Sequence, residues 1–312
     1  MSPAAGGGAP FGRRLANAVA EHGPLCVGID PHRELLAAWG LADDPVGLER
    51  FARGVMAALA GEVALVKPQS AFFERHGSAG VAVLERVLAD AREAGTLVLL
   101  DVKRGDIGST MGGYADAYLS DGSPLAADAV TLSPYLGFGS LAPALTAAAG
   151  SGRGVFVLAR TSNPDGAQVQ TAQVQTARVQ TARVQTAQVQ TARVQLADRD
   201  GRSVAQAMVD AAAAENTGCT PMGDVGVVVG ATHEHGLELS GLNGPVLAPG
   251  LGAQGGTPAD LAVRFADVTG VVLPSVSRAV LEKGPDQAAL RAAVRTWQLE
   301  LAGATEQAGA TQ

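Results

Sequence analysis

Eight short apolar runs recur along the chain, separated by segments of helical or loop character. Runs of this length are typical of strands that are buried on both faces, as in a parallel sheet. Eight strand–helix units predict an α/β fold, a (β/α)8 TIM barrel. A doubly wound open sheet is the alternative, although no Gly-rich dinucleotide motif follows the first run. The runs are LCVGID (25–30), VALVKP (63–68), TLVLLDVK (96–103), DAVTLS (128–133), GVFVLAR (154–160), DVGVVVGAT (224–232), PVLAPG (245–250) and GVVLPS (270–275).

Two of the intervening segments show a helical period. Residues 81–92 carry apolar side chains at helical spacing and end near Gly95, a residue type that suits a helix C-terminus. Residues 202–217 repeat this pattern and end at Gly218. Both segments therefore predict helices that complete strand–helix units.

A pentapeptide repeat interrupts this alternation at residues 168–195. Five copies of Thr-Ala-(Gln/Arg)-Val-Gln fill 171–195 and follow a partial copy. On an α-helix, successive valines of such a repeat lie about 140° apart, and on a strand they alternate faces, so neither form gives an apolar stripe. A very short β-solenoid is the alternative. The pattern favours a mobile low-complexity insert in the loop after strand five.

The composition is that of a globular protein with a large core. Of the 312 residues, 47% are hydrophobic and 17% are charged, which excludes wholesale disorder. We expect one barrel domain with a core of about residues 22–300 and flexible tails at 1–10 and 303–312. The net charge of −7 argues against nucleic acid as the main partner.

The chain has no features of a membrane or secreted protein. No apolar run approaches the roughly 20 residues that span a bilayer, and no apolar segment follows the N-terminal arginines as in a secretory signal. The two cysteines, Cys26 and Cys219, are too few and too far apart for a disulfide framework or a cysteine metal site. These observations predict a cytoplasmic protein.

Lysine is rare, and two of its positions are notable. Only Lys67, Lys103 and Lys283 are lysines among 23 basic residues. Arginine stays protonated, whereas a lysine ammonium can release a proton when its surroundings require it. Lys67 and Lys103 end apolar runs, so they are the candidates for chemistry; Lys283 resembles an ordinary charge near a helix end.

The densest group of charges follows the third predicted strand. Asp101 and Lys103 share one face because side chains on a strand alternate, and Asp106 lies just beyond them. Lys67 ends the neighbouring strand. Two ammonium groups and two carboxylates in the mouth of a barrel are expensive to bury unless each is paired. The cluster indicates either a structural ion-pair network or an active site at the end where barrel enzymes place theirs.

Two Gly-rich or polar loops predict an anion site. Residues 249–257 follow the seventh run, and residues 275–278 follow the eighth. Phosphate sites of barrels usually lie in these two loops, where backbone N–H groups approach the anion and an arginine can clamp it. Arg278 is the candidate clamp. Either loop alone also fits a plain turn.

Three further candidates are weaker. Asp30 ends the first run and suits either sugar hydroxyls or the cap of the next helix. Cys26 fits a core position of the first strand. His233 and His235 are spaced as a metal pair, but the sequence offers no third ligand, so we predict no metal site.

The residues in these segments resemble a known family. The chain from about residue 25 to residue 279, apart from the repeat, is similar to orotidine 5′-phosphate decarboxylases of the bacterial subgroup with a VKPQSAFFE-like segment. The most specific element is D-x-K-x-x-D at 101–106, continued by Ile107 and Thr110. Supporting elements are GIDP (28–31), VKPQSAFFERHG (66–77), TSNP (161–164), APGLGAQGG (248–256) and Ser277-Arg278.

The resemblance implies roles at the reaction centre. Lys103 would protonate C6 of the pyrimidine after carbon dioxide leaves, and Asp101, near the substrate carboxylate, would complete the charged array with Lys67. Asp106 and Thr110 would reach into the partner subunit's site, which makes the enzyme a homodimer. The family uses no metal and no organic cofactor, and it acts in pyrimidine (UMP) biosynthesis as a lyase.

The resemblance also implies contacts to the rest of the substrate, orotidine 5′-phosphate. Asp30 and Lys67 would hold ribose hydroxyls. Ser162 would bind the pyrimidine ring, although the register also permits Thr161. The phosphate would be held by Gln254 and Arg278.

The chemistry agrees with this expectation. Decarboxylation without an electron sink develops negative charge at C6, and a fixed ammonium stabilises that charge before quenching it. Two other functions remain open: a magnesium-dependent keto-sugar-phosphate decarboxylase of the same superfamily, and a catalytically dead nucleotide-binding barrel. Lys67 at the end of strand two argues against a metal at that place.

Overall fold

The eight predicted strands form a closed parallel barrel. The computed structural model describes residues 8–174 and 201–310. Each strand pairs with the next one in sequence, and the eighth pairs with the first, which confirms the predicted (β/α)8 fold. The strands are β1 (Cys26–Ile29), β2 (Leu65–Pro68), β3 (Leu97–Arg104), β4 (Ala129–Leu132), β5 (Gly154–Arg160), β6 (Val225–Val229), β7 (Val246–Pro249) and β8 (Val272–Val276).

Helices connect the strands and cover the outside of the barrel. The connection from β6 to β7, residues 230–245, is described throughout and contains no helix. No helix within residues 8–174 and 201–310 is both long and apolar enough to cross a membrane. The helices are α1 (Phe11–His22), α2 (Arg33–Ala38), α3 (Pro45–Leu59), α4 (Ala71–Glu74), α5 (Gly77–Glu93), α6 (Gly108–Leu119), α7 (Ala142–Ser151), α8 (Ala167–Gln170), α9 (Val204–Glu215), α10 (Pro258–Arg264), α11 (Arg278–Leu281) and α12 (Gln287–Ala310), with 3-10 turns at Phe138–Leu141 and Pro164–Gly166.

The two helices expected from periodicity begin and end close to the predicted positions. Helix α5 stops just before Gly95, whose φ of 71° is a left-handed conformation that suits glycine. Helix α9 begins after Ser203, whose side chain accepts a hydrogen bond from the backbone N–H of Gln206. Local sequence therefore fixes the ends of these elements.

The first helix closes the N-terminal end of the barrel. Phe11 and Leu15 of α1 are fully buried against side chains of the barrel interior, and the Phe11 ring meets Phe156 edge to face. The core therefore begins at residue 11 rather than at the predicted residue 22. Without α1, the apolar side chains at this end of the barrel interior would be exposed to water. At the other end, α12 continues to Ala310, through most of the predicted C-terminal tail. Residues 1–7 lie outside the described part.

The barrel interior changes from apolar to polar toward the C-terminal ends of the strands. The alternation of side chains on a strand places residues two apart in successive interior layers. An apolar lower layer stabilises the fold, and a polar upper layer forms the floor of a cavity. The lower–upper pairs are Leu65 and Lys67, Leu99 and Asp101, Ala129 and Thr131, and Leu273 and Ser275.

The start of the predicted insert is joined to the barrel. Gln173 forms an antiparallel bridge with Ser203, and the backbone N–H of Val174 donates to the carbonyl oxygen of Arg202 at 2.8 Å. These contacts hold residues 173–174, within the repeat, next to residues 202–203, which precede α9. Of the predicted insert 168–195, residues 175–195 lie outside the described residues.

Candidate active site

A cavity of about 590 Å³ opens at the C-terminal end of the barrel. Every strand, or the loop directly after it, contributes to its lining. This is the end at which barrel enzymes carry their active sites. Seven of the predicted site residues line this cavity: Asp30, Lys67, Asp101, Lys103, Ser162, Gln254 and Arg278.

The carboxylate of Asp101 lies at the centre of the polar floor. Lys103 donates from Nζ to both of its oxygens, at 2.7 and 2.6 Å. Thr131 donates from Oγ1 to Oδ1 at 2.7 Å, and Lys67 donates from Nζ to Oδ2 at 3.4 Å. A carboxylate that is only 7% exposed is thus surrounded by donors. The arrangement satisfies the requirement that a buried charge be paired.

Lys67 is buried between two carboxylates. Its Nζ lies 3.4 Å from Asp101 Oδ2 and 3.9 Å from Asp30 Oδ1. Burial by itself lowers the pKa of the Lys67 ammonium, but the carboxylates of Asp30 and Asp101 outweigh it, so the pKa lies above the ordinary value. Lys67 is therefore a permanent positive charge at neutral pH.

The same array keeps Asp101 ionised. Burial by itself raises the pKa of this carboxyl, but the ammonium groups of Lys67 and Lys103 and the hydroxyl of Thr131 lower it further, and the net pKa lies below the ordinary value. The order of the array is Lys103, Asp101, Lys67, Asp30. Positive and negative groups alternate, which favours the charged form of each.

Backbone geometry as well as strand alternation places Lys103. Its φ is 47°, and the register between β3 and β4 shifts between Leu100 and Arg104. The backbone N–H of Lys103 donates to Thr131 Oγ1 at 3.0 Å instead of to a strand carbonyl. A non-glycine residue in this conformation is strained, and such strain is concentrated at functional sites. The prediction that Asp101 and Lys103 adjoin is confirmed, with a bulge as an added cause.

Asp106 and Thr110 lie away from the array of their own chain. Neither is among the described residues that line the cavity. Asp106 is half-buried beyond the end of β3, and its Oδ1 accepts from the backbone N–H of Ile107 at 2.8 Å. Thr110 is exposed in the first turn of α6. The expectation from strand order placed Asp106 in the same confined volume; the second carboxylate there is Asp30.

Asp30 does not cap the following helix. Helix α2 has His32 at its N-cap position, without a side-chain cap. Among the described residues, Asp30 Oδ1 is buried and accepts no hydrogen bond. An unsatisfied carboxylate oxygen at the edge of a cavity has capacity for a ligand donor such as a hydroxyl. Of the two interpretations open from the sequence, the helix cap is wrong.

The loops after β5, β7 and β8 meet across the cavity mouth. Ser162 Oγ donates to Gln254 Oε1 at 3.1 Å. Gly250, which begins the loop after β7, has a φ of 112°, and a Cβ there would lie 2.7 Å from Thr232 Cγ2. Glycine is therefore needed for this turn. Arg278 is exposed at the start of α11, on the rim, so the predicted phosphate residues share one side of the mouth.

The loop after β5 is held by the first residues of the repeat-like segment. Gln170 Oε1 accepts from the backbone N–H of Thr161 at 3.1 Å and from Arg160 Nη1 at 3.2 Å. Its Nε2 donates to Thr161 Oγ1 at 2.7 Å. The hydroxyl of Thr161 is thereby hydrogen-bonded within its own loop, whereas the hydroxyl of Ser162 is hydrogen-bonded to Gln254 in the loop after β7.

Among the polar residues of the cavity that were not predicted as site residues from the sequence are Gln69, Thr131 and Gln170. Thr131 has a recognisable signal, because it is a polar residue inside an otherwise apolar strand. Gln69 directly follows β2, so its proximity to Lys67 signals a position at the mouth. Gln170 belongs to a low-complexity segment, and nothing in its local pattern indicates a contact to β5.

Two other residues singled out in the sequence, Cys26 and His235, have structural rather than catalytic contacts. Cys26 is fully buried, which confirms it as a core residue of β1, and this burial raises the pKa of its thiol to about 12. His235 lies between the carbonyl oxygen of Arg264 and the backbone N–H of Leu237. Within residues 8–174 and 201–310, no group of three or more His, Cys, Asp or Glu side chains is placed to hold a metal ion.

The structure is that of a (β/α)8-barrel protein with an alternating charge array on the floor of a cavity at the C-terminal ends of its strands. Residues 23–293 match the family described as orotidine 5′-phosphate decarboxylase / HUMPS. The chain therefore belongs to this family, as the resemblance in its sequence predicted.

Individual relatives support the assignment over nearly the whole chain. An orotidine 5′-phosphate decarboxylase of Salinispora arenicola is 58% identical over 284 residues, which cover 91% of this chain and 94% of that protein. An enzyme of the same name from Streptomyces coelicolor is 53% identical over 296 residues, covering 94% and 97%. The crystal structure of a candidate orotidine 5′-phosphate decarboxylase from Streptomyces avermitilis is 51% identical, with a TM-score of 0.84, and the match covers 98% and 99% of the two chains.

Proposed function

We propose that this protein converts orotidine 5′-phosphate to UMP and carbon dioxide in pyrimidine biosynthesis. The observation that carries the proposal is the array Lys103–Asp101–Lys67–Asp30 on the floor of the cavity, in a chain of this family. The relatives reported above bear the name of the decarboxylase, which leaves the keto-sugar-phosphate decarboxylase and the dead barrel without support.

The reaction needs a cation and a proton at one carbon. The bond between C6 and the carboxylate breaks, carbon dioxide leaves, and the electron pair remains on C6. The Lys103 ammonium stabilises this charge and then transfers a proton to C6, which leaves a neutral amine that takes a proton from solvent. Asp101 holds the ammonium in place. Enzymes that catalyse very slow reactions lower the barrier by roughly 20 kcal/mol, and preorganised charge supplies much of this.

The same geometry suggests how the remainder of the substrate binds. Asp30 and Lys67 would hold the ribose hydroxyls, because Asp30 has a free acceptor oxygen. Ser162 would contact the pyrimidine ring, since Thr161 is already bound within its loop. The phosphate would lie on the rim, bound by Gln254 and Arg278. Binding energy gathered there can orient the ring over Lys103.

A homodimer would complete the site. Asp106 and Thr110 do not line the cavity of their own chain, and the large apolar side chain of Ile107, between them in the sequence, is 61% exposed. The resemblance of the chain to its family implies that these two polar residues act across a subunit interface. We therefore infer that Asp106 and Thr110 enter the partner subunit's cavity.

The buried Cys26 and the exposed Cys219 are both free thiols, which suits the cytoplasm as the place of action.

A single assay tests the function. Purified protein is mixed with orotidine 5′-phosphate in the presence of EDTA, and the loss of orotidylate absorbance is followed together with UMP formation. We expect saturable turnover with equal amounts of UMP and carbon dioxide. Tight binding of UMP without turnover would instead favour a dead barrel, and turnover abolished by EDTA would favour the magnesium-dependent relative.

A further inference from the structure

Gln69 occupies a fixed place beside the array. It directly follows β2, and an isolated parallel bridge pairs it with Asp101 beyond the end of that strand. Its backbone N–H donates to the carbonyl oxygen of Ile29 at 3.4 Å. The residue is half-buried and lines the cavity. Its backbone is thus held by both β1 and β3, the strands on either side.

The side-chain amide of Gln69 bridges the carboxylate and the ammonium. A carboxylate only accepts hydrogen bonds and an ammonium only donates them, so the orientation of the amide follows from its neighbours. In this orientation, Nε2 donates to Asp101 Oδ2 at 2.8 Å, and Oε1 accepts from Lys103 Nζ at 3.2 Å. One neutral group therefore contacts both members of the central ion pair.

Lys103 needs such a contact because packing does not confine it. Its side chain is 45% exposed, in contrast to 8% for Asp101. A lysine side chain has many rotamers, and only specific contacts can hold its ammonium at one point. The three N–H groups of this ammonium have three acceptor atoms: Asp101 Oδ1, Asp101 Oδ2 and Gln69 Oε1.

We propose that Gln69 is a positioning residue, whose amide fixes the Lys103 ammonium relative to the Asp101 carboxylate and so sets the point from which the proton is delivered. The inference rests on the proposed decarboxylase function. Gln69 acts through Lys103 and Asp101, so its loss should reduce kcat and leave the binding of substrate almost unchanged.

Two substitutions of similar length separate positioning from a merely structural role. Gln69→Met removes both hydrogen bonds and keeps the volume of the side chain. In Gln69→Glu, the protonated carboxyl can donate to Asp101 and accept from Lys103 as the amide does, whereas the ionised form cannot donate. The charged and titratable side chains that line the same cavity are Asp30, His32, Lys67, Asp101, Lys103 and Arg278.

The introduced carboxyl should titrate above the usual range. Lys67 and Lys103 already face two carboxylates, those of Asp30 and Asp101, so neither lysine is an unshared partner for a third carboxylate, and its ionisation is opposed by Asp101. The kcat of Gln69→Glu should accordingly approach that of the wild type near about pH 5 and fall as the pH rises toward about 8.

Kinetic constants of the wild type and both variants are measured across this pH range. We expect Gln69→Met to lower kcat by roughly 10- to 100-fold at every pH, with KM changed by less than about threefold. A kcat of Gln69→Met equal to that of the wild type would overturn the inference. The same proportional loss of Gln69→Glu at all pH values, or a change confined to KM, would also overturn it. A wild type without turnover would overturn the proposed function, and the inference with it.

Discussion

Lys103 Nζ lies 2.7 and 2.6 Å from the two carboxylate oxygens of Asp101, two residues earlier on the same strand. Such a symmetric contact holds the ammonium over one point of the cavity floor. Because Asp101 is itself held by Thr131 and Lys67, the position of the ammonium is set by buried groups although its own side chain is half exposed. Preorganised charge of this kind is what a carbanion-forming reaction requires.

Replacement of Lys103 by arginine should abolish nearly all turnover. Lys103→Arg keeps the positive charge, but guanidinium is a poor acid and its planar shape does not fit the same contacts. Loss of a positioned proton donor should lower kcat by about 10²- to 10⁴-fold. Lys283→Arg, at an exposed position far along the chain, is the matched control and should leave kcat unchanged. Retention of a tenth of the wild-type kcat by Lys103→Arg would contradict the role of proton donor.

The proposed dimer can be tested by complementation. Lys103→Ala and Asp106→Ala subunits should each be inactive alone. If Asp106 acts in the partner subunit's cavity, a mixed dimer contains one site with both defects and one site with neither. Random re-assortment makes about half of the dimers mixed, so activity should recover toward about a quarter of the wild type. Absence of recovery, with subunit exchange demonstrated, would place Asp106 in its own subunit's site.

The proposed phosphate contact of Arg278 predicts a split between two substrates. Arg278→Ala should raise KM for orotidine 5′-phosphate strongly, by roughly 10- to 150-fold if a charge-assisted hydrogen bond worth roughly 1.5–3 kcal/mol is lost. Turnover of the phosphate-free nucleoside should be low and almost unchanged by the substitution. The kinetic constants of the wild type and Arg278→Ala are measured with both substrates. An equal proportional loss with the two would contradict the assignment of Arg278 to the phosphate.

Most of the repeat should be dispensable for activity. Residues 172–174 and 202–204 are joined by backbone hydrogen bonds, so deletion of 176–195 leaves the contacts of Gln170 and Val174 in place. Because loop-closure free energy changes slowly with length, kcat/KM should change by less than about tenfold, or roughly 1.4 kcal/mol. Gln170→Ala should lower kcat/KM more than the deletion does, since Thr161 then loses its hydrogen bonds to the Gln170 side chain.

The ionic-strength dependence of kcat/KM distinguishes a dispensable repeat from one whose arginines attract the anionic substrate. If the arginines of the repeat attract the anionic substrate, the deletion should lower kcat/KM substantially at low salt, and the loss should shrink as salt is added. Measurement of the deletion variant at two ionic strengths distinguishes these outcomes. A large loss at both would mean that residues 176–195 form part of the active site.

The lowered pKa of Asp101 predicts how its contribution to stability depends on pH. The folded-state pKa lies below the unfolded value of about 3.9. The ionised group therefore stabilises the folded state above the unfolded pKa, and this stabilisation is lost as the pH falls through the folded pKa. Urea unfolding of the wild type and Asp101→Asn should show a free-energy difference that is constant near neutral pH and shrinks below about pH 4. A constant difference down to acid pH would contradict the lowered pKa.

The sequence predicted the elements that follow local rules. Six of the eight strands lie within the apolar runs, and β3 and β8 extend one residue beyond theirs, because a strand buried on both faces needs continuous apolar residues. Lys67, Asp101 and Lys103 of the array were predicted by the same rule, since polar residues at strand ends must meet in a closed barrel, whereas Asp106 was predicted in the place that Asp30 occupies. The features that could not be predicted depend on contacts between residues far apart in the sequence or on backbone geometry. They are the packing of Phe11 against the apolar end of the barrel interior, the bulge at Lys103, and the hydrogen bond from Gln170 to Thr161.

Within residues 8–174 and 201–310, the floor of the barrel is closed, which leaves the cavity mouth as the route for protons and products. Below Lys67 and Asp101 the interior is filled by apolar side chains and sealed by Phe11 and Leu15. On the proposed role of Lys103, its neutral amine must regain a proton through the same opening by which UMP and carbon dioxide depart. On the same proposal, a bound nucleotide would fill that opening and limit the access of water to the amine. Recharging of the proton donor is thus tied to release of the product, so one molecule of substrate is processed per exposure of the cavity to solvent.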